Sequence, residues 1–345
     1  MKEQGEMMNI RDIIYDNGQV DIESDNFVIE SNYTGKYADL SSEHEAEMVT
    51  MMSDRPWKDV IAESFKDHSP WLYKIITDTG RSLFLDVLDI PKNGLYLDVG
   101  SGWGQVCIPL GRYGNSVALD LTYNRLNILK SIATQESVPL QYVQGNFLSF
   151  PFLEGIFDAI VFNGSLEWIG VGREEGASIR EVQIEALKKA YRLLKPGGMI
   201  YIGIENSMGL KYILGAADDH TGLIHHTFLE EKLAEVNFLT KTDGEQLPSK
   251  TWSLEEYKEM IGESGLELEK VYGCFPDYKL IRQMIDLRSI NEVLKKGLPV
   301  LEHLGTNGIS FEKNNELNEI YKVLSKNKIA QSFCPSYGFI LRKRS

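Results

Sequence analysis

The sequence predicts a doubly wound α/β fold, and three observations predict it. Short apolar runs alternate with segments of helical periodicity from Gly94 to Glu205. Strands that alternate with helices form a parallel sheet. Two of these runs, Leu95–Val99 and Ser116–Asp120, carry an acid at their carboxyl end, Asp98 and Asp120. Glycines at 100, 102 and 104 follow the first run, so the backbone turns tightly and a ligand can lie against bare main chain.

The elements follow in order. Val20-Asp-Ile-Glu23 and Asn26–Glu30 read as a small hairpin around Ser24-Asp25. The stretch from Thr34 to Ser53 is polar and carries no predicted element. From Pro56 to Asp89 the apolar residues recur at three- and four-residue steps, which predicts two helices leading into the first core strand. Gln105–Arg112 reads as a helix, Ser116–Asp120 as the second strand and Tyr123–Gln135 as a helix. Leu140–Gln144 is the third strand and Phe157–Phe162 the fourth. Ile179–Leu194 is an amphipathic helix, stopped by Lys195-Pro-Gly-Gly198 before a fifth strand at Met199–Glu205. Ser253 with Glu256 forms a capping box for a helix running to about Glu263. Leu266–Tyr272 supplies a sixth strand, and Tyr337–Leu341 a final one. Residues 1–89 therefore read as an N-terminal extension and helical cap, and 90–345 as the main domain, with insertions at about 206–250 and 276–333.

The glycine spacing carries chemistry. A dinucleotide fingerprint requires a glycine where Gln105 stands. Asp98 would repel a pyrophosphate but suits a cationic or amino-bearing ligand. That points to S-adenosylmethionine, which carries a sulfonium and an ammonium group. Asp120 follows Asp98 at about the spacing from which such an acid holds a ribose diol.

With these residues in view, the segment 94–205 resembles the core of a class I S-adenosylmethionine-dependent methyltransferase. Asp98-Val-Gly-Ser-Gly-Trp-Gly104 matches the glycine-rich first motif, and Asp120 the ribose-binding acid. Gly145-Asn146-Phe147 matches the adenine-contacting motif, with Asn146 in place of the usual acid. Phe157-Asp158 through Trp168 and Leu193–Gly198 match the motifs around the fourth and fifth strands. The resemblance implies a Rossmann-like, mostly parallel seven-stranded sheet whose last strand runs antiparallel beside the sixth and fifth. It implies a cofactor site of Asp98, Gly100, Ser101, Gly102, Gly104, Asp120, Leu121, Asn146, Phe147, Asn163 and Gly164. Beyond the core, Ile204–Gly215, Asp218-Asp-His-Thr-Gly222 and Phe275–Leu280 resemble a bacterial subgroup that accompanies polysaccharide and secondary-metabolite assembly.

Methyl transfer is an in-line displacement, so holding donor and acceptor close and aligned supplies much of the acceleration. A base is needed when the acceptor carries a proton that must leave. Among the six histidines His220 is the candidate, following Asp218-Asp219 inside the first insertion. Asp219 would steady its ring. The alternative is that Asp219 and His220 only stitch the insertion by hydrogen bonds. Glu167, Trp168, Glu205, Asn206 and Tyr212 fall at the ligand-facing edge and are candidate acceptor contacts. The insertion at 206–250 is expected to form one wall of the acceptor pocket.

Composition narrows the function classes. A net charge of −14 over 345 residues argues against nucleic-acid binding, which needs a basic footprint. Cys107, Cys274 and Cys334 are scattered without metal-ligand spacing, and the neighbouring side chains of His225 and His226 diverge, so no metal is expected. No long apolar segment points to a membrane. The expectation is a cytoplasmic biosynthetic enzyme acting on an O or N atom of a small molecule, a sugar or a natural-product intermediate. The competing readings are a methyltransferase acting on protein, carrier-bound substrate or RNA, and a non-catalytic cofactor-binding protein. A nicotinamide enzyme is disfavoured by Gln105.

Overall fold

Burial follows the strand pattern. Leu95–Val99 is buried at every position, as befits a central parallel strand covered on both faces. The computed structural model describes residues 9–15, 18–31, 40–174, 176–298 and 314–344. Its strands are β1 Val20–Ser24, β2 Phe27–Glu30, β3 Leu95–Val99, β4 Asn115–Asp120, β5 Gln141–Gln144, β6 Phe157–Asn163, β7 Leu194–Glu205, β8 Glu267–Phe275, β9 Gln283–Asp286 and β10 Ser336–Arg342. They form one sheet in the order β1-β2-β5-β4-β3-β6-β7-β10-β8-β9. The strand order reverses between β3 and β6, and ligands bind beside the carboxyl ends of strands at such a switch point.

The expected seven strands are corrected to ten among the described residues. The hairpin β1–β2 does form, but it also docks on the sheet edge. β2 runs parallel to β5 in the register Phe27↔Tyr142 to Ile29↔Gln144. Phe27 and Val28 are thereby fully buried, which gives the docking an apolar driving force. At the other edge β9 pairs antiparallel with β8. Between them β10 lies antiparallel to both β7 and β8, with Gly338 opposite Gly203 and Tyr272.

The helices are α1 Ser42–Met52, α2 Trp57–Phe65, α3 Pro70–Thr77, α4 Cys107–Tyr113, α5 Tyr123–Gln135, α6 Ile179–Leu193, α7 Leu210–Ile213, α8 Glu231–Lys241, α9 Leu254–Glu263, α10 Ile290–Leu294 and α11 Asn314–Lys326. Helix α1 corrects the expectation of no element between 34 and 53; residues 34–39 lie outside the described residues. The Ser41 hydroxyl caps it by accepting from the His44 N–H at 3.2 Å. Its apolar face is narrow, Met48 and Met52 one turn apart, so the charged majority masked the period. A buried pair, Arg125 and Glu45 at 2.7 Å, ties α1 to α5. The capping box of Ser253 and Glu256 is present at the start of α9.

Candidate functional site

At the carboxyl ends of β3, β4 and β6 lies a cavity of about 260 Å³. The loop after β3 forms its floor. Gly100 and Gly102 adopt φ of 74° and 51°, in the left-handed region that favours glycine. A Cβ on Gly100 would sit 2.6 Å from the Ser165 Cβ, whereas one on Gly102 would meet only the Gly100 carbonyl oxygen, at 3.9 Å. Both Asp120 carboxylate oxygens hold the loop: one accepts from the Gly102 N–H and the other from the Thr122 N–H, each at 2.9 Å.

Of the predicted cofactor residues, Asp98, Gly100, Ser101, Gly102, Asp120, Leu121, Asn146, Phe147, Asn163 and Gly164 all line this cavity. Gly104 does not. A Cβ there would collide with Leu129 on α5, so this glycine lets loop and helix pack closely. Asn146 uses its side-chain oxygen to accept from the Leu148 N–H at 2.9 Å. The Asn163 carbonyl accepts from the Arg81 guanidinium at 3.0 Å. Arg81 itself lines the cavity, as do Leu72 and Ile75 of the N-terminal helices. Gln105, the residue that departs from the dinucleotide pattern, donates to the Ile75 carbonyl at 3.2 Å and so pins α3 over the loop. Arg81, Trp103 and Arg125 also line the cavity but were not singled out by sequence reasoning. Arg81 belongs to a 3-10 turn at Thr79–Val87, where a helix was expected, and no local motif marks it.

The floor holds unspent polarity. Asp98 is buried, and its Oδ2 has no hydrogen-bond partner in the protein; the same holds for the Ser101 and Ser165 hydroxyls. Burial pushes the Asp98 carboxyl up to about 7, with Asp120 raising it further and Arg81 opposing.

Behind the cavity lies a second cluster. Trp168 lines the cavity with one face and packs edge-on against the His220 ring, centroids 5.1 Å apart. The His220 Nε2 faces Glu167 and Glu205, each at 3.8 Å, and its Nδ1 lies 3.3 Å from Asp218. Tyr278 donates to Glu167 at 3.2 Å. Lys279 bridges Glu205 at 2.6 Å and Asp219 at 2.8 Å, and Lys211 reaches Asp219 at 3.1 Å.

This geometry corrects the expected pairing of His220 with Asp219. Asp218 is the partner of the ring, and Asp219 is engaged by two lysines. Lys279 and Lys211 outweigh the effect of burial and hold the Asp219 carboxyl well below its usual range. Burial alone would lower the His220 value, but Glu205, Asp218 and Glu167 outweigh it and raise it to about 10. With a proton held on the ring at neutral pH, the expected neutral imidazole base is not what these surroundings favour. Asn206 is likewise committed: its amide donates to the carbonyls of Ser332 at 2.9 Å and Cys334 at 2.8 Å, and its oxygen accepts from the Met208 N–H at 3.0 Å. Tyr212 is buried beside Lys211, whose ammonium sits 4.8 Å from the ring centre. The lining residues of the cavity fall between 72 and 171. Among the described residues the insertion at 206–250 contributes none of this lining, and its His220 packs against Trp168.

The glycine loop and the acid-tipped strands thus stand together at the switch point of a mixed sheet. Residues 97–202 match the family model described as a methyltransferase domain. The chain is 30% identical over 145 residues to a demethylmenaquinone methyltransferase of Lactococcus lactis, covering 42% of this chain and 51% of that protein. It is 31% identical over 144 residues to the enzyme of that name in Staphylococcus aureus, covering 40% and 50%. The chain thus spans about half the length of these curated relatives. A solved S-adenosylmethionine-dependent methyltransferase from Methanosarcina mazei superposes with a TM-score of 0.43 at 12% identity, covering 76% of this chain and 97% of that one. Among the described residues no helix is long and apolar enough to cross a membrane.

Proposed function

We propose that the chain binds S-adenosylmethionine in the cavity and transfers its methyl group to an O or N atom of a small molecule. The observation that carries this reading is the unpartnered Asp98 oxygen buried at the cavity floor. A carboxylate buried there is costly even with Arg81 nearby, and an ammonium group would relieve that cost. Arg81, on the same wall, suits the carboxylate of an amino-acid moiety. Asp120, at the cavity end of β4, is the acceptor for ribose hydroxyls, and Asn146 with Phe147 offers an amide edge and an apolar face for adenine. The unpartnered Ser101 and Ser165 hydroxyls add polar contacts beneath them.

The cofactor supplies an electrophilic methyl on a sulfonium. The protein holds the two reacting groups in line, and the Leu72 and Ile75 side chains shield them from water. The named relatives act on demethylmenaquinone, a small molecule, which supports a small-molecule acceptor. The sugar or natural-product class rests on the subgroup resemblance alone. Incubation with methyl-labelled cofactor and a fractionated cell extract tests the reading. Label should pass into the low-mass fraction with release of S-adenosylhomocysteine. Label found only in protein or RNA would select the macromolecular alternative, and no transfer to either fraction the non-catalytic one.

A further inference from the structure

We propose that Glu167, Glu205 and His220 bind one divalent transition-metal ion, behind the Trp168 wall of the cavity. One ligand atom from each lies within 4.8 Å of those of the other two. The His220 Nε2 is 3.8 Å from Glu167 Oε1, which also accepts from Tyr278, and 3.8 Å from Glu205 Oε2. That gap is too long for hydrogen bonds. Bonds of about 2.1 Å to a tetrahedral ion would place ligand atoms about 3.4 Å apart, so small side-chain shifts close the site.

Three further observations point to a ligand. Glu167 and Glu205 are 0% and 1% exposed, and the Oε2 of each has no hydrogen-bond partner. The neighbouring cations leave the Oε2 atoms uncovered: Lys279 bridges Glu205 Oε1 and Asp219, and Lys211 reaches Asp219. The Nδ1 of His220 lies against the Asp218 carboxylate at 3.3 Å. Metal-bound histidines characteristically give their second ring N–H to a carboxylate, which fixes the tautomer and aims the other nitrogen at the ion. The ion would take the place of the proton that the same carboxylates otherwise hold on the ring, releasing it to solvent. The Asp218 hydrogen bonds from the His220 N–H and the Thr221 hydroxyl, at 3.1 and 2.8 Å, hold that carboxylate in place.

The ligands come from the turn after β6, the end of β7 and the first insertion, so the ion would clamp the insertion to the sheet. Two carboxylates with one imidazole suit zinc or another first-row divalent ion. Sequence spacing hides the set because its members are scattered along the chain.

The test is direct metal binding by the untagged full chain after dialysis against a chelator, independent of methyl transfer. Calorimetry with zinc should show one ion per chain, and cobalt should give visible absorption bands of a low-coordinate site. Glu167→Gln and His220→Asn should each weaken zinc binding by at least about tenfold, while Asp218→Asn, a positioning change, should weaken it by about ten- to a hundredfold with the stoichiometry kept. Circular dichroism checks that each variant is folded, and the wild-type cobalt spectrum needs no variant at all. A folded wild type that takes up neither metal stoichiometrically, or folded variants that bind zinc as tightly as wild type, would overturn the site.

Discussion

The cavity floor and the cluster behind Trp168 are both buried and both charged, yet they are built in opposite ways. The floor comes from one stretch of chain. Asp98 and the glycines follow each other directly, Asp120 ends the next strand, and main-chain groups do most of the shaping. Its polarity is left unspent on one side, with Asp98 Oδ2 and two serine hydroxyls lacking partners. The cluster gathers Glu167, Glu205, Asp218, Asp219, His220, Tyr278 and Lys279 from four segments. There Lys279, Lys211 and His220 bridge the carboxylates, while one oxygen each of Glu167 and Glu205 is left without a hydrogen bond. The difference separates a main-chain surface shaped to receive a small molecule from a side-chain network that ties an insertion to the sheet around the proposed ion site.

The largest effect should come from breaking the network. Lys279→Met leaves Glu205 and Asp219 buried without their shared cation, and loss of one partner from such a pair costs about 3–5 kcal/mol. Denaturant unfolding should show that loss. A variant as stable as wild type would mean that the lysine is not what holds these carboxylates.

A smaller effect tests the floor. Asp98 titrates near 7 when folded, against an ordinary value of 3.8. The folded state therefore keeps the proton where the unfolded chain has lost it. The favourable linkage is complete below pH 3.8 and is lost as pH rises to about 7. Asp98→Asn removes this dependence. Its thermal midpoint should gain on wild type more at pH 8 than at pH 5, and an equal difference at both would show that Asp98 is not held in the way described.

The smallest effect marks the boundary between the regions. His220→Asn touches the cavity only through Trp168, so affinity for S-adenosylhomocysteine should stay within about twofold. A large loss in calorimetry would merge the two regions into one site.

The same contrast explains what the sequence makes legible. The core strands, α6, the capping box and ten of the eleven predicted cofactor positions come from local patterns, in which a strand, a turn and an acid stand close in sequence. Arg81 and Gln105's contact with α3 belong to a cap that meets the floor only in three dimensions. The docking of β1–β2 on β5 depends on long-range burial of Phe27 and Val28, which two short runs do not announce. His220 is visible as a residue, but its partner is not. Asp218 and Asp219 are adjacent, and only the positions of Lys211 and Lys279 decide which of them faces the ring.

The most direct test of the central claim is calorimetric titration of the purified chain with S-adenosylhomocysteine and, separately, with NAD. One molecule of S-adenosylhomocysteine should bind per chain, NAD should give no binding heat, and Gly102→Val should abolish the signal by placing a branched side chain in the cavity lining at a left-handed position. Tight NAD binding with no response to S-adenosylhomocysteine, or undiminished binding by a folded Gly102→Val chain, would contradict the assignment of the cavity.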